Sequence, residues 1–196
     1  MGMVYTARHG QTDYNLKMLY QGAGIDVSLN SKGRQDAMRV KEIFKDVSLD
    51  VIICSPLKRA QESILPLAKE KKFEVITWRL IAERYFGVLE GKSYSHLDDP
   101  YNFFYDNNNG EMGEPMEIAY QRAELVKKRL IDTCADRNVF LMSHGILLSI
   151  FCCAVKEEGV VYRPEHRLGN GKFHQFEITE NEKFSIKGLN LDSPVR

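Results

Sequence analysis

Val4-Tyr5-Thr6-Ala7-Arg8-His9-Gly10-Gln11-Thr12-Asp13-Tyr14-Asn15 is the stretch around which the chain is organised. Residues 3–7 form a short apolar run bounded by Arg-His-Gly, the pattern of a buried strand. Gly10 then lets the backbone turn sharply. A permanent positive charge and an imidazole therefore stand together at the end of a buried strand, a place suited to an anion. The same residues also fit a solvated loop after an edge strand, because three residues make a weak motif.

The rest of the chain bears on that choice. Residues from Asn15 to Leu29 are irregular, with Gly22 and Gly24 as turn makers. Ser31-Lys32-Gly33 opens a helix with Ala37, Val40, Phe44 and Val47 at helical spacing. Asp50–Cys54 reads as a second buried strand. Ser55 is expected to cap the following helix, with Pro56 in its first turn and Ala60, Ile64, Leu67 and Ala68 on its inner face. Phe73–Ile76 makes a third, shorter strand. A long helix is expected from about Pro115 to Cys134, a fourth strand over Val139–Met142, and an apolar helix over Ile146–Val155. Phe173–Thr179 and Phe184–Leu189 flank Glu180-Asn181-Glu182-Lys183 as a terminal hairpin. Strands alternating with helices predict an α/β fold with a mainly parallel central sheet, flanked by helices on both faces.

Residues 78–115 do not follow this alternation, and short helices and loops are expected there. The aromatic, Asn-rich run Tyr101–Gly110 reads either as a specificity surface or as a packed excursion over the core.

Arg8-His9-Gly10, Ser55-Pro56-Leu57-Lys58-Arg59 and Ser143-His144-Gly145 each follow directly on an apolar strand. Parallel strands would bring all three to one carboxyl edge, where open α/β sheets place their ligands. Two arginines, two histidines and a helix start would then meet in one cleft. A guanidinium fork matches phosphate oxygens, and a helix N-terminus also favours an anion. Neighbouring arginines would keep His9 neutral and nucleophilic. His96, His166 and His174 have no such context and read as structural residues. Arg163, His166 and Arg167 form a basic cluster that reads as a solvated loop, with the cleft edge as the alternative.

A length of 196 residues fits one domain over residues 1–196. Lysine plus arginine (27) balances aspartate plus glutamate (27), so the chain carries no broad basic surface for nucleic acid or an anionic membrane. No run of 18 apolar residues is present, and the first strand begins too early to leave room for a signal peptide. Cys54, Cys134, Cys152 and Cys153 sit in apolar settings without metal-ligand spacing, which suggests buried thiols in a reducing, cytoplasmic compartment.

Taken in order, Arg8 to Asn15, Gln21-Gly22 with Asp26 and Leu29, Gly33, Ser55 to Glu62, Glu83 with Gly87, Glu90-Gly91 and Ser143-His144-Gly145 resemble the histidine phosphatase superfamily, in its phosphoglycerate mutase-like branch. The resemblance spans nearly the whole chain and implies a three-layer sandwich and a single catalytic domain. It implies a nucleophilic His9 that becomes phosphohistidine, with Arg8, Arg59 and His144 holding the phosphoryl group. Asn15, Gln21, Gly22 and Gly145 fall at substrate-binding positions. Glu83 matches the proton donor and later activator of water, with pairing to Arg84 or Arg59 as a rival role. The acid phosphatase branch has an aspartate after its second histidine, whereas Gly145 stands here. No metal or other cofactor is implied, because arginine and histidine supply the positive charge.

The expected reaction is hydrolysis of a small phosphorylated substrate, with inorganic phosphate as a product. Two alternatives remain open: a phosphoglycerate mutase, and a phosphate-ligand-binding regulatory module with little turnover. The mutase reading is weakened by the short chain and by the lack of a long insertion with paired arginines after Gly91.

Overall fold

The computed structural model describes residues 1–96, 113–161 and 163–195, so the Tyr101–Gly110 run lies outside the described residues. Six strands form one sheet in the order β3-β2-β4-β1-β5-β6. They are β1 Gly2–Arg8, β2 Val51–Cys54, β3 Val75–Thr77, β4 Val139–Ser143, β5 Phe173–Ile178 and β6 Phe184–Leu191. The first four run parallel, β5 is antiparallel to β1, and β6 returns beside β5 as the expected hairpin.

The helices are α1 Asp13–Leu16, α2 Ser31–Phe44, α3 Lys58–Lys71, α4 Met116–Cys134 and α5 Gly145–Val155. Period-two alternation divides the core between the two faces of the sheet. Tyr5, Ala7, Ile52, Cys54, Phe140 and Met142 pack with Val40 and Phe44 of α2 and with Ala60, Ile64 and Leu67 of α3. Val4, Ile53, Val139 and Leu141 face Ala119, Ala123, Val126 and Leu130 of α4 and Leu148 and Phe151 of α5. Both faces are therefore covered, as the continuous apolar strands require.

Four local expectations need correction. Ser55 and Pro56 precede α3 rather than starting it; Leu57 holds the cap position and offers no side-chain bond. The first N–H of that helix, Lys58 N, instead donates to Asp26 Oδ1 at 2.7 Å, a cap supplied from a distant loop. The third strand starts two residues late, because Lys72 adopts a left-handed φ of 57° and Phe73 N–H closes onto Ala68 O. The stretch read as irregular, Asn15 to Leu29, begins inside a helix, since Thr12 and Asn15 form a capping box that nucleates α1 over Asp13–Leu16. The basic cluster is no plain solvated loop either, since His166 is buried between exposed Glu165 and exposed Arg167.

Elsewhere the structural reading of the isolated histidines holds where their side chains are described. His174 is buried, its Nε2 donating to His166 O and its Nδ1 accepting from Asn190 N–H. His166 Nε2 meets Glu158 at 3.0 Å. All four cysteines are free and buried. Among the described residues, no helix is long and apolar enough to cross a membrane.

Burial lowers the His174 pKa to about 4. The unfolded chain thus binds a proton here before the fold does. The stabilisation is complete above about pH 6.5 and is lost as pH falls from there toward 4. Its full size is on the order of 3 kcal/mol. Urea unfolding should show His174→Asn, which keeps an acceptor for Asn190, losing about 2 kcal/mol less than wild type between pH 7 and pH 4.5.

Candidate active site

The site follows from strand register. Arg8 pairs with Ser143 across β1 and β4, and Cys54 pairs with Met142 across β2 and β4. The three strand ends are therefore level, and His9, Ser55 and His144 leave the sheet side by side. His9 N–H bonds to Ser143 O at 3.1 Å and Ser55 N–H to Met142 O at 3.0 Å. The two imidazoles lie with ring centroids 5.1 Å apart. All five residues expected to be catalytic are buried: Arg8, His9, Arg59, Glu83 and His144.

His9 Nδ1 lies 2.7 Å from Gly10 O. A carbonyl only accepts, so the proton is on Nδ1 and Nε2 keeps its lone pair. Arg59 Nε donates to that Nε2 at 3.3 Å. The Arg59 fork is itself fixed on two backbone carbonyls, Ile25 O at 2.9 Å and Gly22 O at 2.7 Å. Gly22 reaches this position with φ +59°, and a Cβ there would fall 1.9 Å from Glu90 Oε1. Gly22 therefore acts by holding Arg59.

The loop behind His9 is clamped just as tightly. A Cβ on Gly10 would meet Gly33 O at 2.4 Å, and one on Gly33 would meet Gln11 O at 2.0 Å. The start of α2 thus presses directly on the His9–Gln11 backbone. Ser63 Oγ accepts from Gly10 N–H, and Asn170 Nδ2 donates to His9 O. Asn170 is one site residue that the sequence reading missed; no neighbouring pattern marks it.

Arg8 Nη1 donates to Leu168 O at 2.9 Å, while its buried Nε has no partner among the described residues. Gly145 lets α5 begin against this guanidinium, since a Cβ would lie 3.2 Å from Arg8 Nε. His144 Nε2 meets Ser55 Oγ at 2.7 Å, and its buried Nδ1 has no partner among the described residues. Ser55, expected as a helix cap, instead orients the second histidine.

Glu83 answers a different demand from the one expected at α5. Its Oε1 accepts from Arg84 N–H and Leu147 N–H, and its Oε2 from Ile146 N–H. The group seated on these α5 amides is therefore the protein's own carboxyl side chain. Among the described residues no arginine side chain forms a close ion pair with Glu83, although its charge acts on Arg59 and Arg84 and so keeps part of the rival role. Asn15 Oδ1 accepts from Thr12 N–H, and the single Thr12 hydroxyl proton is shared between Asn15 Oδ1 at 3.1 Å and Gln21 Oε1 at 2.9 Å. Both side chains brace the loop, Asn15 at the edge of the site next to Asn170.

Electrostatics match the geometry. Burial first, then the charges of Arg59 and Arg8, hold His9 well below the ordinary imidazole value of 6.5. Burial and Arg59 do the same to His144. Burial pulls Arg8 down to about 10, with Arg167 adding to the effect.

The histidine phosphatase superfamily (branch 1) profile matches residues 4–192. The chain belongs to this superfamily. Among curated relatives, the uncharacterized phosphatase PhoE of Bacillus subtilis is 28% identical over 193 residues, covering 98% of this chain and 96% of its own. The adenosylcobalamin/alpha-ribazole phosphatase of Escherichia coli is 27% identical, covering 93% and 92%. A phosphoserine phosphatase variant from Entamoeba histolytica, solved with phosphoserine, superposes with TM-score 0.86 at 23% identity over 98% of each chain. These matches establish a histidine phosphatase enzyme of phosphoglycerate mutase-like fold.

Since His9 and His144 are held neutral, their ring protons should show no titration between pH 8 and pH 6.5 in NMR spectra. Arg59→Met removes the largest lowering charge on both, so their midpoints should move upward.

Proposed function

We propose that this enzyme is a metal-independent phosphomonoester hydrolase that works through phosphohistidine on a small phosphorylated metabolite. The observation that carries the reading is the His9 ring: Nδ1 is committed to Gly10 O, and the lone pair of Nε2 stands beside Arg59 in a buried cationic pocket. In the first step Nε2 attacks phosphorus and the P–O ester bond breaks. Arg8, Arg59 and His144 balance the charge on the phosphoryl oxygens, and the Gly145 N–H adds a backbone donor. With the Ser55 hydroxyl as donor to His144 Nε2, the ring proton sits on Nδ1 and can donate to one of those oxygens.

The departing alkoxide needs a proton, and Glu83 supplies it. Oε1 already accepts two N–H bonds and Oε2 only one, so Oε2 keeps a lone pair where that proton can sit. The resulting carboxylate then takes a proton from water as the water oxygen attacks phosphorus. The N–P bond breaks, phosphate leaves, and His9 and Glu83 return to their starting states. Positive charge comes from arginine throughout, so no step calls for a metal. Relatives named as alpha-ribazole and phosphoserine phosphatases support a small substrate. A single domain and cytoplasmic location are part of the same reading.

Turnover of an aryl phosphate in chelator should fall at least about a thousandfold in His9→Ala and about a hundredfold or more in Glu83→Gln. Acid quench should trap phosphate on wild-type His9. Wild-type turnover by His9→Ala would refute the reading. Transfer from a bisphosphoglycerate to a monophosphoglycerate without phosphate release would replace hydrolysis by mutase action.

A further inference from the structure

Arg167 is exposed, yet its place is fixed on both sides. His166 before it is buried against Glu158, and Leu168 after it is buried with its carbonyl on Arg8. Its guanidinium carbon stands 5.8 Å from the centre of the Tyr94 ring. Tyr94 in turn packs edge-on against Tyr20 with centroids 4.6 Å apart. No carboxylate pairs with Arg167 among the described residues, in a chain whose net charge is zero. Arg167 depresses the pKa of Arg8, and Tyr94 acts electrostatically on both Arg8 and Arg59. Arg167 directly precedes Leu168, whose carbonyl holds the Arg8 guanidinium, and this places it beside the buried cation.

Arg167 adds a third positive charge beside two buried ones, an arrangement that a bound anion relieves. The phosphoryl group already has Arg8 and Arg59. We propose that Arg167, braced on Tyr94, is a specificity residue forming a second anion subsite beside Arg8, so that the preferred substrate is a phosphomonoester bearing a further carboxylate or phosphate. This rests on the phosphatase reading for its first subsite. The planar fork suits either anion, and the aromatic ring limits its freedom at little cost.

Calorimetric binding to the His9→Ala protein tests the proposal without turnover. One pair of ligands differs by a carboxylate: 3-phosphoglycerate against glycerol 3-phosphate. A second pair differs by a phosphate: fructose 1,6-bisphosphate against fructose 6-phosphate. At least one pair should show about a tenfold or greater preference for the more anionic member. Adding Arg167→Gln should shrink that preference to about twofold or less, while Arg167→Lys retains part of it. The pair that responds identifies the anion. No preference in either pair, no binding of any ligand, or a preference that survives Arg167→Gln would overturn the subsite. A lost preference in an enzyme that hydrolyses no ester would sink the hydrolase reading and leave the subsite standing.

Discussion

Two guanidinium groups, Arg8 at the end of β1 and Arg59 in the first turn of α3, are buried with backbone carbonyls as acceptors. Arg59 rests on Gly22 O and Ile25 O, and Arg8 on Leu168 O. Burying charge in this way is costly, and neutral acceptors offset it only in part. The surrounding structure is arranged to hold the charges in place nonetheless. The loop over Gly22 is tied down by Glu90, which accepts from Gly24 N–H and Phe86 N–H. The Gly10–Gly33 contact fixes the backbone on the other side. A neutral imidazole between such cations is the expected result of those constraints.

Much of this was readable in the chain. Strands β1, β2 and β4 are apolar on both faces, and each ends in a polar cluster that a parallel register must bring level. That is why the sequence alone brings Arg8, His9, Arg59 and His144 to one place. The roles of Ser55 and Glu83 were harder, because each depends on a partner far away in sequence. Local Ser-Pro chemistry favoured a cap at Ser55, but Asp26 reaches Lys58 first and leaves the hydroxyl for His144. Nothing near Glu83 announces that the amides of Ile146 and Leu147 will close on it. Arg167 sat in a visibly basic cluster, yet its order comes from the burial of its two neighbours against Glu158 and Arg8.

The contrast between the ends of α5 is instructive. At its start, an acidic side chain, a histidine and an arginine meet around the first turn. At its far end, Cys153, Glu158 and His166 bring donor atoms within 4.8 Å of one another. There Lys156 and His166 already engage the Glu158 carboxylate, and the cluster fastens the loop leading to Arg167. One helix therefore links the ordering of the reaction centre with that of its rim.

The three amide bonds to Glu83 have one more consequence. In the proposed mechanism the side chain that moves protons is at the same time a latch on α5, so its chemistry and its fastening duty cannot be adjusted separately. Evolution toward a different leaving group would have to leave this carboxylate in place and vary the walls around it.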